Sequence, residues 1–319
     1  MKKKLMCMLL TGVLAASMLA GCGSSDAAEE TTNGTSEAAE SETTADDAAD
    51  EEVAASDFDA TSMIATYSRE DGSGTRGAFI ELFGIEQKDE NGEKVDYTTE
   101  EAVITNSTDV MLTSVSGDTY GIGYVSLGSL NDTVKAVKID GAEATVDNIK
   151  AGTYTIARPF NIATCGVVSD VAQDFINYIM SADGQAVIEE KGYIAVSDAA
   201  AFESNGAEGK VVVGGSSSVS PVMEKLIEAY TAINPNAEIE LQTSDSSTGM
   251  TGTIDGTLDI GMASRDLKDT EIESGLTGTK IAMDGIAVVV NQENPVDDLS
   301  SETVKGIFMG EITEWDAIN

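Results

Sequence analysis

Three segments place small hydroxyl residues and glycine directly ahead of a helical pattern. They are Gly214-Gly-Ser-Ser-Ser-Val-Ser-Pro221, Thr243-Ser-Asp-Ser-Ser-Thr-Gly249 and Ser68-Arg-Glu-Asp-Gly-Ser-Gly-Thr-Arg76. Small residues let backbone N–H groups approach a ligand, Ser and Thr add hydroxyl donors, and a helix start carries partial positive charge. Each segment alone also reads as a helix cap with a turn. Three in one folded region exceed what capping requires, and together they describe an anion site built from neutral dipoles. Arg69 adds planar donors suited to an oxyanion. Covalent chemistry is poorly served. The chain has no histidine, which excludes a Ser-His-Asp triad, a Cys-His pair and a histidine-ligated metal. A Ser-Lys hydrolase stays conceivable, yet the three segments contain no Lys.

The charge balance bears on partners. Of 319 residues, 56 are acidic and 18 basic, a formal net charge of −38 that argues against nucleic acid. Residues 1–22 read as a signal: Lys2, Lys3 and Lys4, then an apolar run too short to span a membrane comfortably. The run closes on Leu19-Ala-Gly-Cys22, which resembles the lipobox of bacterial lipoproteins and makes Cys22 the expected lipidation site. Acyl chains on Cys22 would hold the protein to the outer face of the membrane. Residues 23–59 read as an acidic, disordered tether, with twelve carboxylates and no Lys or Arg over 23–57. With signal and tether set aside, residues 58–319 still carry −29. Cys165 is the only cysteine beyond Cys7 and Cys22, so no disulfide is expected and its apolar setting predicts burial. The carboxylate clusters at 266–273 and 297–302 lack Ca²⁺ spacing and read as solvated faces; no cofactor or metal is implied. Phe308 and Trp315 read as packing residues, since 5% aromatic content is too sparse for stacking recognition.

The loops need elements to position them, and the chain from about residue 62 alternates β-rich runs with helical patterns. Strands are predicted at 63–67, 120–126, 134–139, 211–213, 238–241, 260–263 and 281–290. Helices are predicted at 76–83, 171–190 with a break near Gly184, from Val222 through Ile233, 250–258 and 304–308. Such alternation predicts an α/β protein with mostly parallel sheets.

Ser68-Arg-Glu-Asp-Gly-Ser-Gly-Thr75 resembles the phosphate loop of the periplasmic-type phosphate-binding proteins of Pst ABC transporters. Agreement extends to the Ser216–Pro221 segment, Asp259-Ile-Gly-Met-Ala-Ser-Arg265, Asp284-Gly-Ile-Ala-Val-Val-Val-Asn291, Gly306-Ile-Phe-Met-Gly-Glu-Ile-Thr-Glu-Trp315 and Gly121-Ile-Gly-Tyr-Val-Ser126. Their order differs from the family's, where the Ser-rich segment comes first and the Trp segment runs directly into Ser-Arg-Glu-Asp. Circular permutation of one complete domain explains this, with the short connection 198–210 joining the family's two ends. The competing explanation is half of one domain followed by half of a second in a tandem protein.

The resemblance implies a two-lobed, hinged (Venus-flytrap, type II) α/β fold, circularly permuted, closing on one phosphate. Lobe one would span 157–289. Lobe two would combine 60–156 with 290–319, with crossings near 156–158 and 290–291. The implied phosphate-binding residues are Ser217, Ser218, Ser246 and Ser264 from lobe one and Arg69, Ser73, Gly74 and Thr75 from lobe two, with Asp71 orienting Arg69. Ser264 stands where some family members carry an Asp that accepts the ligand's proton and repels sulfate. The expected partners are inorganic phosphate, the permease subunits of an ABC importer and the membrane through the lipid anchor, for a monomeric, non-enzymatic protein. Other readings are an oxyanion-binding or phosphate-sensing surface lipoprotein and a Ser-based hydrolase.

Overall fold

The computed structural model describes residues 58–318; the signal, Cys22 and the tether up to residue 57 lie outside them. The first stretch comprises β1 (Ala65–Arg69), α1 (Gly74–Leu82), the hairpin β2 (Glu86–Lys88) and β3 (Lys94–Asp96), β4 (Val103–Thr105), α2 (Thr108–Ser116) and β5 (Gly121–Ser126). Then follow β6 (Val134–Ala136), β7 (Lys138–Ile139), α3 (Val146–Ala151), β8 (Ala157–Cys165), α4 (Asp170–Met180), α5 (Ala182–Glu190) and β9 (Ile194–Ala195). The last stretch is β10 (Gly209–Ser216), α6 (Ser220–Ile233), β11 (Ala237–Ser244), α7 (Ser246–Ile254), β12 (Ile260–Ala263), α8 (Asp269–Glu273), β13 (Leu276–Asn291), β14 (Asp298–Leu299) and α9 (Ser301–Phe308).

One sheet runs in the order β11-β10-β12-β8-β13-β5-β1-β4. Its outer pairs β10–β11, β10–β12, β1–β5 and β1–β4 are parallel. Its centre is not, since β8 and β13 pair antiparallel with each other and with β12 and β5. The sheet is therefore mixed rather than mostly parallel. The unpredicted strand β8 runs against both of its neighbours, and β13 runs against β5 and β6.

Two apolar cores flank the middle of this sheet. One gathers Phe160, Phe175, Tyr178, Leu226, Tyr230, Met262 and Ile281. The other gathers Phe79, Tyr124, Ile156, Ile286, Val288, Phe308 and Trp315, and so draws on both ends of the described chain. Those ends are joined by hydrogen bonds: Ile64 N donates to Thr313 O at 2.8 Å and Asp316 N to Ala60 O at 2.7 Å. Strand β13 serves both cores. Its residues 276–285 pair with β8 and its residues 286–290 with β5.

Several boundaries move for local reasons. The 171–190 pattern is two helices broken at Ser181, which ends α4 and caps α5 through its hydroxyl to Gly184 N. Cys165 is half-buried rather than buried, and Glu271, in a cluster expected to be solvated, is buried against Arg265 at 2.7 Å.

Where β13 changes partner, Arg158 Nη2 donates to Asp284 Oδ2 at 3.0 Å and Ser126 Oγ donates to Asp284 Oδ1 at 3.0 Å. Burial dominates this pair, outweighs the guanidinium and pushes the Asp284 carboxyl up to about 6. Asp284→Ala is expected to cost about 3–5 kcal/mol of unfolding free energy, since Arg158 is left buried and unpaired. A raised folded pKa means the folded chain holds this proton more tightly than the unfolded chain, whose value is 3.8. That stabilisation is complete below the unfolded value and is lost as pH rises through about 6. Urea midpoints of the parent and Asp284→Asn from acid to neutral pH check this; an identical pH slope would refute it.

Candidate functional site

Four helix starts converge between the two cores. Ser73 caps α1 by accepting from Arg76 N at 3.3 Å, and Ser107 caps α2 by accepting from Val110 N at 3.2 Å. Asp245 caps α7 by accepting from Thr248 N at 2.9 Å, while α6 has no side-chain cap. The first-turn amides of such starts suit an anion.

Arg69 enters at the end of β1. Its backbone N–H donates to Tyr124 OH at 3.1 Å, and that phenol also bonds Ser68 Oγ at 2.9 Å. The guanidinium is forked by Glu70, Nε and Nη2 each donating at 2.8 Å, and Nη2 reaches Ser217 Oγ at 3.1 Å. Asp71 does not orient Arg69, contrary to expectation. Its side chain is 98% exposed and takes a bond from Arg76 Nη1 at 2.9 Å. Glu70 has the extra methylene needed to fold back on the adjacent guanidinium.

The hydroxyls form one network. Thr75 Oγ1 lies 2.7 Å from Ser218 Oγ and 3.5 Å from Ser264 Oγ. Ser264 Oγ accepts from Ser216 Oγ at 3.0 Å and lies 3.5 Å from Ser246 Oγ, and Ser264 N donates to Ser246 Oγ at 3.2 Å. Gly74 closes on the same group; a Cβ there would stand 2.5 Å from Ser246 Oγ and 2.8 Å from Ser264 Oγ. Arg69, Gly74, Thr75, Ser217, Ser218, Ser246 and Ser264 therefore meet, with Ser73 at the adjoining cap, and all the side chains among them are buried.

Thr108 belongs with them and was not anticipated. Its N–H donates to Ser217 Oγ at 3.4 Å and its hydroxyl lies 3.2 Å from Ser218 Oγ. A signal was present: Val103-Ile-Thr-Asn-Ser-Thr108 repeats the strand, hydroxyl, helix logic without glycine. Ser217 Oγ accepts from both Arg69 Nη2 and Thr108 N, and it also lies 3.4 Å from Thr108 Oγ1. Among the described residues no group of three or more His, Cys, Asp or Glu could hold a metal.

Comparison with known proteins follows this geometry. Residues 23–183 and 200–318 match the PBP superfamily domain. The phosphate-binding protein PstS 2 of Streptococcus agalactiae is 58% identical over 261 residues, 82% of this chain and 89% of that protein. The chain belongs to the PstS-type family of the PBP superfamily. A second PstS 2, from Streptococcus pneumoniae, is 46% identical over 266 residues, covering 83% of this chain and 91% of that one. A crystal structure of a Streptococcus pneumoniae phosphate-binding protein of a phosphate ABC transporter superposes with a TM-score of 0.64 at 45% identity. It covers 81% of this chain and all of that one, which shows the two-lobed α/β fold.

For a PstS-type site the Glu70 fork has a direct consequence. Glu70→Ala is expected to weaken binding of a tetrahedral oxyanion by about tenfold or more, because Arg69 loses two charge-assisted bonds. Asp71→Ala is expected to stay within about twofold of the parent, as an exposed ion pair contributes little. Calorimetry on both variants checks this, and the opposite ranking would restore Asp71 as the orienting residue.

Proposed function

We propose that this chain is an extracytoplasmic, lipid-anchored solute-binding protein that closes on one inorganic phosphate ion and delivers it to an ABC-type importer. The observation that carries this reading is the buried network joining the Arg69 guanidinium, through Ser217 and Thr108, to the hydroxyls of Ser218, Thr75, Ser264 and Ser246. Such a set offers a guanidinium and several hydroxyl donors to an oxyanion. Among the described residues no Lys hydrogen-bonds any of these serines, which favours holding over hydrolysis. The streptococcal relatives are phosphate-binding proteins by name, which supports phosphate as the ligand.

Ligand contacts are assigned to Arg69, Ser73, Gly74 and Thr75 on one side and to Ser217, Ser218, Ser246 and Ser264 on the other. With Asp71 turned outward, Ser264 is the acceptor proposed for the proton of HPO₄²⁻, and sulfate has no such proton to offer. We place the lobes as 157–285 and 60–156 with 286–319. The second crossing then falls at Gly285–Ile286 rather than 290–291, because Ile286 and Val288 pack with the core around Phe79. Circular permutation is supported by the bonded ends, since the strand pairing at Met63 and Glu314 lies where the family's chain would run on.

Isothermal titration tests the ligand. One phosphate per chain, bound more tightly than sulfate, is expected; tighter sulfate would overturn the assignment. The same titration on a chain rejoined from 318 to 60 and opened within 198–208 is expected to give parent-like binding. Loss of binding by that folded chain would argue against permutation. The anchor is tested by Cys22→Ser, expected to move the protein from the membrane fraction to the medium; retention would remove Cys22 as the lipidated residue.

A further inference from the structure

Gly72 sits in the Arg69–Thr75 loop between the assigned ligand residues, yet its contacts run to the opposite lobe. Its carbonyl accepts from Ser247 N at 3.2 Å, in the first turn of α7. A Cβ built on Gly72 would stand 2.2 Å from Asp245 Oδ1 and 2.6 Å from Asp245 Cγ. Swinging the carboxylate aside would break the cap, because Oδ1 accepts from Thr248 N at 2.9 Å and Oδ2 from Thr248 Oγ1 at 2.6 Å. The backbone at Gly72 is not left-handed, so this contact and not its dihedral requires glycine. The contact borders a cavity of about 370 Å³ lined by Gly72, Ser73, Arg76, Ser247 and Arg265.

We propose that Gly72, the Asp245 cap and the Ser247 amide form an interlobe latch that sets how long the closed form persists, separately from the ligand's own bonds. The latch rests on the reading that this chain closes on phosphate. Its logic is steric and local. A methyl at Gly72 needs the two lobes to part by roughly an ångström to reach ordinary contact distance. Donors supplied from both lobes then leave hydrogen-bond range of one ligand together. The closed population falls, and apparent affinity falls with it although no ligand residue has changed.

Stopped-flow release of phosphate from the full chain tests the latch. Gly72→Ala is expected to release phosphate about tenfold faster. Gly72→Ala combined with Asp245→Gly removes the obstructing carboxylate, while glycine at a helix cap costs only a few tenths of a kcal/mol. The double variant is expected to recover to within about threefold of Asp245→Gly alone. A Gly72→Ala chain releasing phosphate at the parent rate, or a double variant as fast as Gly72→Ala, overturns the latch. Should Gly72→Ala fail to fold by circular dichroism, Ser247→Pro decides. It removes the donor to Gly72 O at a first-turn position with no intrahelical bond to lose. Faster release by Ser247→Pro is expected, and an unchanged rate overturns the latch. A parent chain that shows no phosphate signal would instead overturn the phosphate reading.

Discussion

A guanidinium taken out of water needs a counter-charge, and every arginine of this chain meets that requirement at the seam between its two cores. Arg69 is forked by Glu70, Arg76 is held by Asp71 and Asp96, Arg158 by Asp284 and Arg265 by Glu271. No other arginine exists in the sequence. Each carboxylate holds planar donors in a fixed direction and offsets the charge of its arginine. Without its carboxylate, each guanidinium would draw in water and loosen the loop it organises. The hydroxyl network depends on this constraint, since the direction of the Ser217 hydroxyl follows from Arg69 standing still.

The same constraint reconciles an anion site with a body of strongly negative charge. Dipoles and paired charges act at hydrogen-bond range, where water is excluded and their effect is large. The diffuse field of the surface carboxylates is screened within about 8–10 Å by salt. Short-range geometry outweighs net charge, so a charge of −38 that argues against a polyanion partner does not exclude a small oxyanion.

The structure brings together the loops that the motifs singled out, where a strand, small residues and a helix follow one another locally. The loops at Ser68, Ser216 and Thr243 were legible because each is a short backbone device with a compositional signature. Partner choice was not legible. Glu70 and Asp71 are adjacent carboxylates, and which one meets Arg69 depends on side-chain length and on the path of the loop beyond β1. Thr108 carried the right signature without glycine and stayed hidden for that reason. The central strand β8 begins at Ala157-Arg-Pro and alternates irregularly, since both faces are covered, so period alone could not reveal it. Ser181 rather than Gly184 broke the α4–α5 pattern, because a serine cap starts a helix more decisively than an interior glycine ends one.

The pairing of Ile64 with Thr313 has a bearing on the order in which the molecule can be made. The core around Phe160 is assembled wholly from residues 160–282, one uninterrupted stretch. The core around Phe79 needs Ile64 and Phe79 from the start of the folded region and Phe308 and Trp315 from its end. A chain emerging from its N-terminus can close the first of these early, whereas the second waits for the final residues. Until then, Ile64, Phe79 and Tyr124 have no complete core to enter. Such long-range closure is the slow kind, and it leaves apolar surface uncovered meanwhile. The loop carrying Arg69 to Thr75 thus belongs to a body that is completed last.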